Sequence, residues 1–312
     1  HQVVDRGVSK LNNLPFGKPG KWFRGNLHTH STRSDGHKTP AQVCAFYRRR
    51  GYDFISLTDH FLEHYDWPVT DTTAYRNNGF TTILGAELHA PKTQLGERWH
   101  ILAVGLPLDF APTTKRETGP RLADRAKRAG AYVAVAHPAW YDLTDSDVLT
   151  IKAASAIEIF NTTCTEYNGK GDSTGYLDRL LSQGHRYHAI ATDDAHFNPV
   201  QPDFAQNWIM VRCKRLEPSA LLKALRAGHF YASQGPQIQS MKFNRRKKTV
   251  TLTTSGVRTV RITTRGATMA CVRSRADRTK AELDVTSFMG SYGRITVADR
   301  HGKKAWTNPF WF

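Results

Sequence analysis

Seven short apolar runs in this 312-residue chain carry, at one end, side chains able to bind a metal ion. The runs 25–30, 54–60, 83–87, 132–137, 157–161 and 189–196 close on His28 and His30, on Asp59 and His60, on Glu87, on His137, on Asn161, and on Asp194 and His196. The run 101–106 instead begins after His100. Imidazole nitrogens and carboxylate oxygens suit borderline divalent ions, and a site with two metals needs a carboxylate placed to bridge them. His28 and His30 would share one side of an extended segment, because strand side chains alternate with period two. In a barrel of parallel strands every C-terminal end opens onto one face, so ligands distant in sequence converge there.

The elements that must position these residues follow from spacing and punctuation. Thr39-Pro40 opens a helix with a cap and a first-turn proline, and Gly51 closes it. Segments 120–129, 173–183 and 218–227 read as helices that stop at Gly130, Gly184 and Gly228. Strands alternating with helices from about residue 23 to 236 predict a parallel sheet closed into a barrel. Residues 1–22 read as an extended lead-in containing Gly17-Lys18-Pro19-Gly20. After Gly235-Pro236 the runs 249–254, 259–264, 281–286 and 294–299 have no helix signal between them, which predicts a small antiparallel β domain over 237–312.

Composition is that of a folded chain, with 39% hydrophobic and 23% charged residues. No apolar run reaches the length needed to span a membrane. The net charge of +17 favours anionic partners, a small phosphorylated substrate first among them. Nucleic acid fits that charge, but the clusters Arg48-Arg49-Arg50 and Arg245-Arg246-Lys247-Lys248 lack interleaved aromatics. The four cysteines form no CxxC pair, so a cysteine zinc site is not expected; one bridge among Cys164, Cys213 and Cys271 is compatible with secretion. The chain begins at His1 rather than Met, and removal of a secretory signal peptide is one explanation, so a secreted or periplasmic protein is expected.

The order of motifs is more specific than any one of them. His28-Thr29-His30-Ser31, Ser34-Asp35-Gly36, Thr58-Asp59-His60, Gly85-Ala86-Glu87, His100-Ile101-Leu102, Ala136-His137-Pro138 and Asp194-Ala195-His196 together resemble the PHP metallohydrolases. Within them the chain resembles the CehA/McbA branch, named for a carbamate insecticide hydrolase. The segments 230–236 and 305–309 resemble stretches that follow the barrel in that branch.

This resemblance implies a distorted (β/α)7 barrel holding two or three divalent ions, Mn2+, Fe2+ or Zn2+. Carried over, His28, His30, Glu87 and Asp194 hold one ion; Glu87, His100 and His137 hold a second, with Glu87 bridging; Asp35, His60 and His196 hold a third. Many relatives carry histidine where this chain has Asp35, and His89 competes with His100 for its role. The implied activity is hydrolysis of phosphomonoesters or phosphodiesters by a hydroxide shared between two ions; carboxylic-ester or carbamate hydrolysis is the alternative, and a non-catalytic binding protein the third reading. His196 is expected to protonate the leaving group. Asp59 is expected to act catalytically by orienting a histidine, and Asp193 either does the same or caps a helix. Arg33 is either a phosphate fork or a solvated loop residue. Asn161 either contacts substrate or caps its loop, and Tyr231 either closes over the site or packs the domain junction.

Overall fold

The computed structural model describes residues 14–312, so most of the expected lead-in, including His1, lies outside the described residues. The first part of the chain contains β1 (Lys21–Asn26), α1 (Pro40–Arg49), β2 (Phe54–Leu57), β3 (His60–Phe61), β4 (Thr81–Ala90), β5 (Trp99–Val104), α2 (Gly119–Arg128) and β6 (Tyr132–Val135). It continues through α3 (Asp145–Thr150), β7 (Ala156–Asn161), α4 (Thr162–Asn168), α5 (Thr174–Ser182), β8 (His188–Thr192), β9 (Trp208–Cys213), α6 (Pro218–Arg226) and β10 (Phe230–Ser233). The regular elements of the remainder are strands apart from the short 3-10 helix Thr286–Phe288: β11 (Ile238–Asn244), β12 (Thr249–Thr263), β13 (Met269–Asp284), β14 (Tyr292–Ala298), β15 (Lys304–Thr307) and β16 (Phe310–Trp311).

Local chemistry explains the boundaries. Thr39 accepts from Gln42 N while Gln42 returns a bond to Thr39 N, a capping box that starts α1. Gly51, at φ 72°, ends it in a conformation that a β-carbon would strain. β2 and β6 are buried along their whole length, which is why they read as continuous apolar runs.

The sheet is mixed and open rather than a closed barrel of parallel strands. Its order is β11-β12-β14-β15-β10-β9-β1-β2-β4-β5-β6-β7-β8, with β13 on β12, β16 on β14 and β3 on β4. Strands β1, β2, β4, β6, β7 and β8 point the same way, but β5 runs antiparallel between β4 and β6. The connection from β4 to β5 is a short loop without a helix, and only an antiparallel partner can be joined so briefly. The sheet still curls, because Asp194 N donates to His28 O and His30 N donates to Ala195 O just beyond the ends of β8 and β1.

The expected boundary at 236/237 is crossed by the ladder. β10 pairs with β15, placing Tyr231 opposite Thr307 and Ser233 opposite Ala305. Asn308 fastens the tail to the first part: it accepts from Ala189 N and donates to the carbonyls of Gly228 and Phe230. Arg294, almost fully buried, makes a bidentate pair with Asp178. Two of the expected tail runs, 249–254 and 259–264, belong to one strand, β12, whose pairing with β13 shifts register between Thr253 and Thr259. One core fills the curl of β4 to β8 around Ile101, Leu102, Val133, Ile157 and Ile190. A second lies in the tail around Val250, Ile262, Phe288 and Phe310, and a third beneath α1 around Val43, Tyr47 and Tyr52. All four cysteines are free, so no bridge joins Cys164, Cys213 or Cys271.

Candidate metal centre

The common direction of six strands gathers their C-terminal ends at one end of the sheet. His28 and His30 follow β1, His60 follows β2, Glu87 and His89 lie in the last turn of side chains of β4, His137 follows β6, and Asp194 and His196 follow β8. His100 begins its strand for the same reason that the others end theirs. β5 is antiparallel, so its first residues lie at the shared end, where His100 is opposite His89.

Glu87 sits at the centre, fully buried. Its Oε1 lies 2.7 Å from His100 Nδ1 and 3.1 Å from His137 Nε2. Its Oε2 lies 3.6 Å from both His28 Nε2 and His30 Nε2, and 2.7 Å from His60 Nδ1. Asp194 Oδ1 closes the His28 and His30 group at 3.2 Å and 2.8 Å. A neighbouring group forms where Asp35 meets His60 Nε2 at 3.3 Å and His196 Nε2 at 3.4 Å. The structure therefore brings together all nine residues named as ligands from the sequence, in overlapping sets. Asp194 and His137 hold left-handed backbone, φ 54° and 21°, conformations that non-glycine residues adopt at a cost and that recur at functional sites.

Glu158 was not singled out from the sequence, yet it orients the centre. Fully buried in β7, it accepts from His28 Nδ1 at 2.9 Å, Thr192 Oγ1 at 2.5 Å, His137 N at 2.7 Å and Asn161 Nδ2 at 3.0 Å. A carboxylate flanked by Ile157 and Ile159 in a buried strand must find donors, and that was the available signal. His89 was considered only as a substitute for His100; it is buried between His60 and the Trp99 carbonyl.

Three residues sit as the second of their two readings has them, and Asp59 takes a role of its own. Arg33 is exposed and does not line the cavity, the position of a solvated loop residue. Asp59 bonds no histidine directly and reaches His30 Nδ1 only through Ser34 Oγ. It accepts from Ser31 N and Oγ, Ser34 Oγ and Thr70 Oγ1, and so fixes the loop that carries Asp35. Asn161 is fully buried, caps α4 by accepting from Cys164 N, and donates to Asp194 Oδ2, out of reach of a substrate. Tyr231 packs between Phe16 and Trp22 in the second core and accepts from Ile238 N, at the junction rather than the site. Asp193 likewise ties residues 205–207 and Tyr47 to the end of β8.

Electrostatics follow from this crowding. Burial pushes Glu87, Asp194 and Glu158 up, but the imidazoles around them more than reverse that and hold all three below the usual carboxylate range. Asp35 is held well below it by His196 and His60, again against burial. Burial lowers each histidine of the centre, yet facing carboxylates raise His28 and His137, and carry His60 to about 10 and His196 to about 9. His30 falls to about 4 through burial and the neighbouring His196 and His60; burial likewise lowers His89 and His100. Four carboxylates thus face four imidazoles that bind protons tightly, and divalent ions must displace those protons to bind.

The donor set fits such ions. His28 Nε2 and Glu87 Oε2 are buried without a hydrogen-bond partner, an arrangement that is costly unless something cationic satisfies both. Ligand atoms about 2.1 Å from one ion lie roughly 3.0–3.4 Å apart, close to the separations seen around Glu87 and Asp194. The centre opens into a cavity of about 350 Å³ whose outer wall includes Trp140, Tyr167, Asn198 and Gln201. The Trp140 indole packs edge-on against the rings of His100 and His137. Among the described residues that line this cavity, none is Lys or Arg.

No protein-family model and no curated protein sequence matches the chain. Among solved structures it is similar to a two-domain protein from Bacteroides vulgatus that contains a predicted PHP-like metal-dependent phosphoesterase, at 17% identity over 94% of this chain and 93% of that one, with a TM-score of 0.53. It is also similar to an amidohydrolase from Chromobacterium violaceum with bound sulfate and no metal, at 15% identity over 55% of this chain and 87% of that one, with a TM-score of 0.42. The first likeness extends over nearly all of both chains, so it concerns the fold of the sheet and its tail together.

Proposed function

We propose that this chain is a metal-dependent hydrolase of the PHP type, acting as a phosphoesterase on small phosphomonoesters or phosphodiesters. The observation that carries this reading is the crowding of histidine and aspartate donors around the two oxygens of buried Glu87, with His28 Nε2 and Glu87 Oε2 left without hydrogen bonds. Likeness of fold to the Bacteroides vulgatus protein supports it. In this reading His28, His30, Glu87 and Asp194 hold one ion, Glu87, His100 and His137 a second, and Asp35, His60 and His196 a third. When bound, such ions supply a water of lowered pKa and polarise the scissile group.

The protein's own groups do the rest. Glu158 keeps one His28 proton on Nδ1, so Nε2 is the nitrogen that yields its proton to an ion, facing Asp194 and Glu87. His196 gives its Nδ1 proton to the Asp194 carbonyl at 2.7 Å, which leaves Nε2 at the cavity wall, partly exposed beside Asp35. A proton held at that nitrogen is placed to reach a leaving group when Nε2 is not committed to the third set. Trp140 shields the rings of His100 and His137 from bulk water.

The +17 net charge favours an anionic substrate. With no Lys or Arg among the lining residues, phosphate oxygens would be engaged by the ions and by neutral donors such as Asn198 and Gln201. That same feature, together with the Trp140 and Tyr167 wall, favours a second reading as a carboxylic-ester or carbamate hydrolase. The test is elemental analysis of purified protein combined with turnover of chromogenic phosphate monoesters, phosphate diesters, carboxylic esters and carbamates. Two to three equivalents of Mn, Fe or Zn are expected, with the highest kcat/KM on a phosphate ester. Glu87→Gln should abolish turnover and lower metal content without unfolding the chain. Full activity in metal-free protein would end the metal-dependent reading, and better turnover of neutral esters would replace the phosphoesterase with the second.

A further inference from the structure

Glu87 and His89 lie two apart in β4 and so project to the same face, with His60 of β3 paired beside Glu87. His89 is 3% exposed, and its Nδ1 lies 3.0 Å from the Trp99 carbonyl oxygen. A carbonyl only accepts, so Nδ1 carries the His89 proton and Nε2 keeps its lone pair. That lone pair faces His60 Nδ1 at 2.8 Å, which makes His60 the donor and puts its proton on Nδ1. Once an ion displaces the second proton, His60 Nε2 is the free nitrogen, and it is the atom turned toward Asp35 Oδ2 at 3.3 Å. His89 Nε2 competes for that proton with Glu87 Oε2, which lies 2.7 Å from Nδ1 in poorer hydrogen-bond geometry.

We propose that His89 is a positioning residue that fixes the tautomer of His60, presenting His60 Nε2 to the set formed with Asp35 and His196 and leaving Glu87 Oε2 free to bridge. The inference rests on the reading that these sets bind cations, and it assigns His89 a role distinct from that of His100. His89 anchors the chain of bonds on a main-chain carbonyl of β5, the strand bearing His100, so one antiparallel pair supports two neighbouring sets. Hydrogen-bond partners of ligating histidines set ring orientation and tautomer, and their removal typically costs about 10- to 100-fold in metal affinity.

The experiment compares full-length wild type, His89→Phe and His89→Gln, each reconstituted with Zn2+ and checked for folding by circular dichroism. Zinc equivalents are measured against graded chelator, and the His60 tautomer is read from two-bond 15N–1H correlations of the histidine rings. In wild type His60 should carry its proton on Nδ1. His89→Phe should weaken one zinc equivalent by about 10- to 100-fold, leave the others unchanged, and lose the single tautomer. His89→Gln, whose side-chain oxygen can accept where Nε2 did, should restore both. Wild-type zinc affinity and tautomer in His89→Phe would overturn the inference. So would failure of His89→Gln to recover the zinc equivalent, which would make His89 a direct ligand. Wild-type protein that binds no zinc would overturn the hydrolase reading and this inference with it.

Discussion

Replacing Glu158 by Gln tests whether His28 is held in a metal-binding form by its neighbour. All four contacts of the carboxylate are donors: His28 Nδ1 and Thr192 Oγ1 on Oε1, His137 N and Asn161 Nδ2 on Oε2. An amide nitrogen must displace one oxygen. It cannot face the main-chain N–H of His137, which has no other way to point, so it takes the Oε1 position. There Thr192 can rotate to accept, but His28 must shift its proton to Nε2, the atom that faces Asp194 and Glu87. Nitrogen bearing a proton cannot bind a metal. A hydrogen bond to a charged group contributes about 1.5–3 kcal/mol, which is about 10- to 150-fold in affinity at 1.36 kcal/mol per tenfold change. Zinc or manganese titration against a competing chelator should show a loss of that size for one ion, while circular dichroism and the remaining equivalents stay close to wild type. Affinity within about twofold of wild type in a folded Glu158→Gln protein would refute the reasoning.

Asp59→Asn keeps an acceptor for Ser31 N but sets an amide against Ser31 and Thr70 hydroxyls, so stability should fall by about 1.5–3 kcal/mol in denaturant titration. Metal content should drop first at the set containing Asp35, which rides on the same loop. His188 is fully buried, and burial, then neighbouring His229, lowers it from 6.5 to about 4. Its folded value is depressed, so the stability linked to its neutral form is complete above pH 6.5 and is lost as pH falls toward 4. Near pH 5 that loss is about 2 kcal/mol, and His188→Gln should show correspondingly less acid destabilisation; equal pH dependence of the two proteins counts against the assignment. Arg33→Ala should change kcat/KM on any ester by less than about twofold and stability by less than about 0.5 kcal/mol, as befits an exposed residue outside the cavity.

How much of this was legible from residues alone depends on the range of the forces involved. The ends of α1, α2, α5 and α6 lie within one or two residues of the sequence reading, because caps, first-turn prolines and closing glycines act over a single turn. Eight of the nine candidate ligands were legible because each stands where an apolar run meets its end, and runs of buried strand leave little choice of side chain except where chemistry is done; Asp35, in a loop, entered only with the resemblance of motif order. Their convergence was expected from parallel strands closing into a barrel, and it arises otherwise. Six strands do share a direction, but β5 is reversed and the sheet stays open. Direction is set by the length of a connection and by which edge is free, and neither is written in periodicity.

Partners across space were the least legible part. Asp59, Asn161 and Tyr231 have residue types suited to chemistry, but whether such a side chain meets substrate, a loop or a core depends on strands dozens of residues away. Glu158 shows the converse. Its alternation with isoleucines marked a buried strand, and only the assembled sheet revealed that the donors relieving its burial are the histidine and backbone groups of the centre. The sequence by itself determined which residues would stand at strand ends and with what ligand chemistry. The tertiary structure decided which of them face one another and which proton each imidazole keeps, because hydrogen bonds between groups far apart in sequence exist only once the chain has folded.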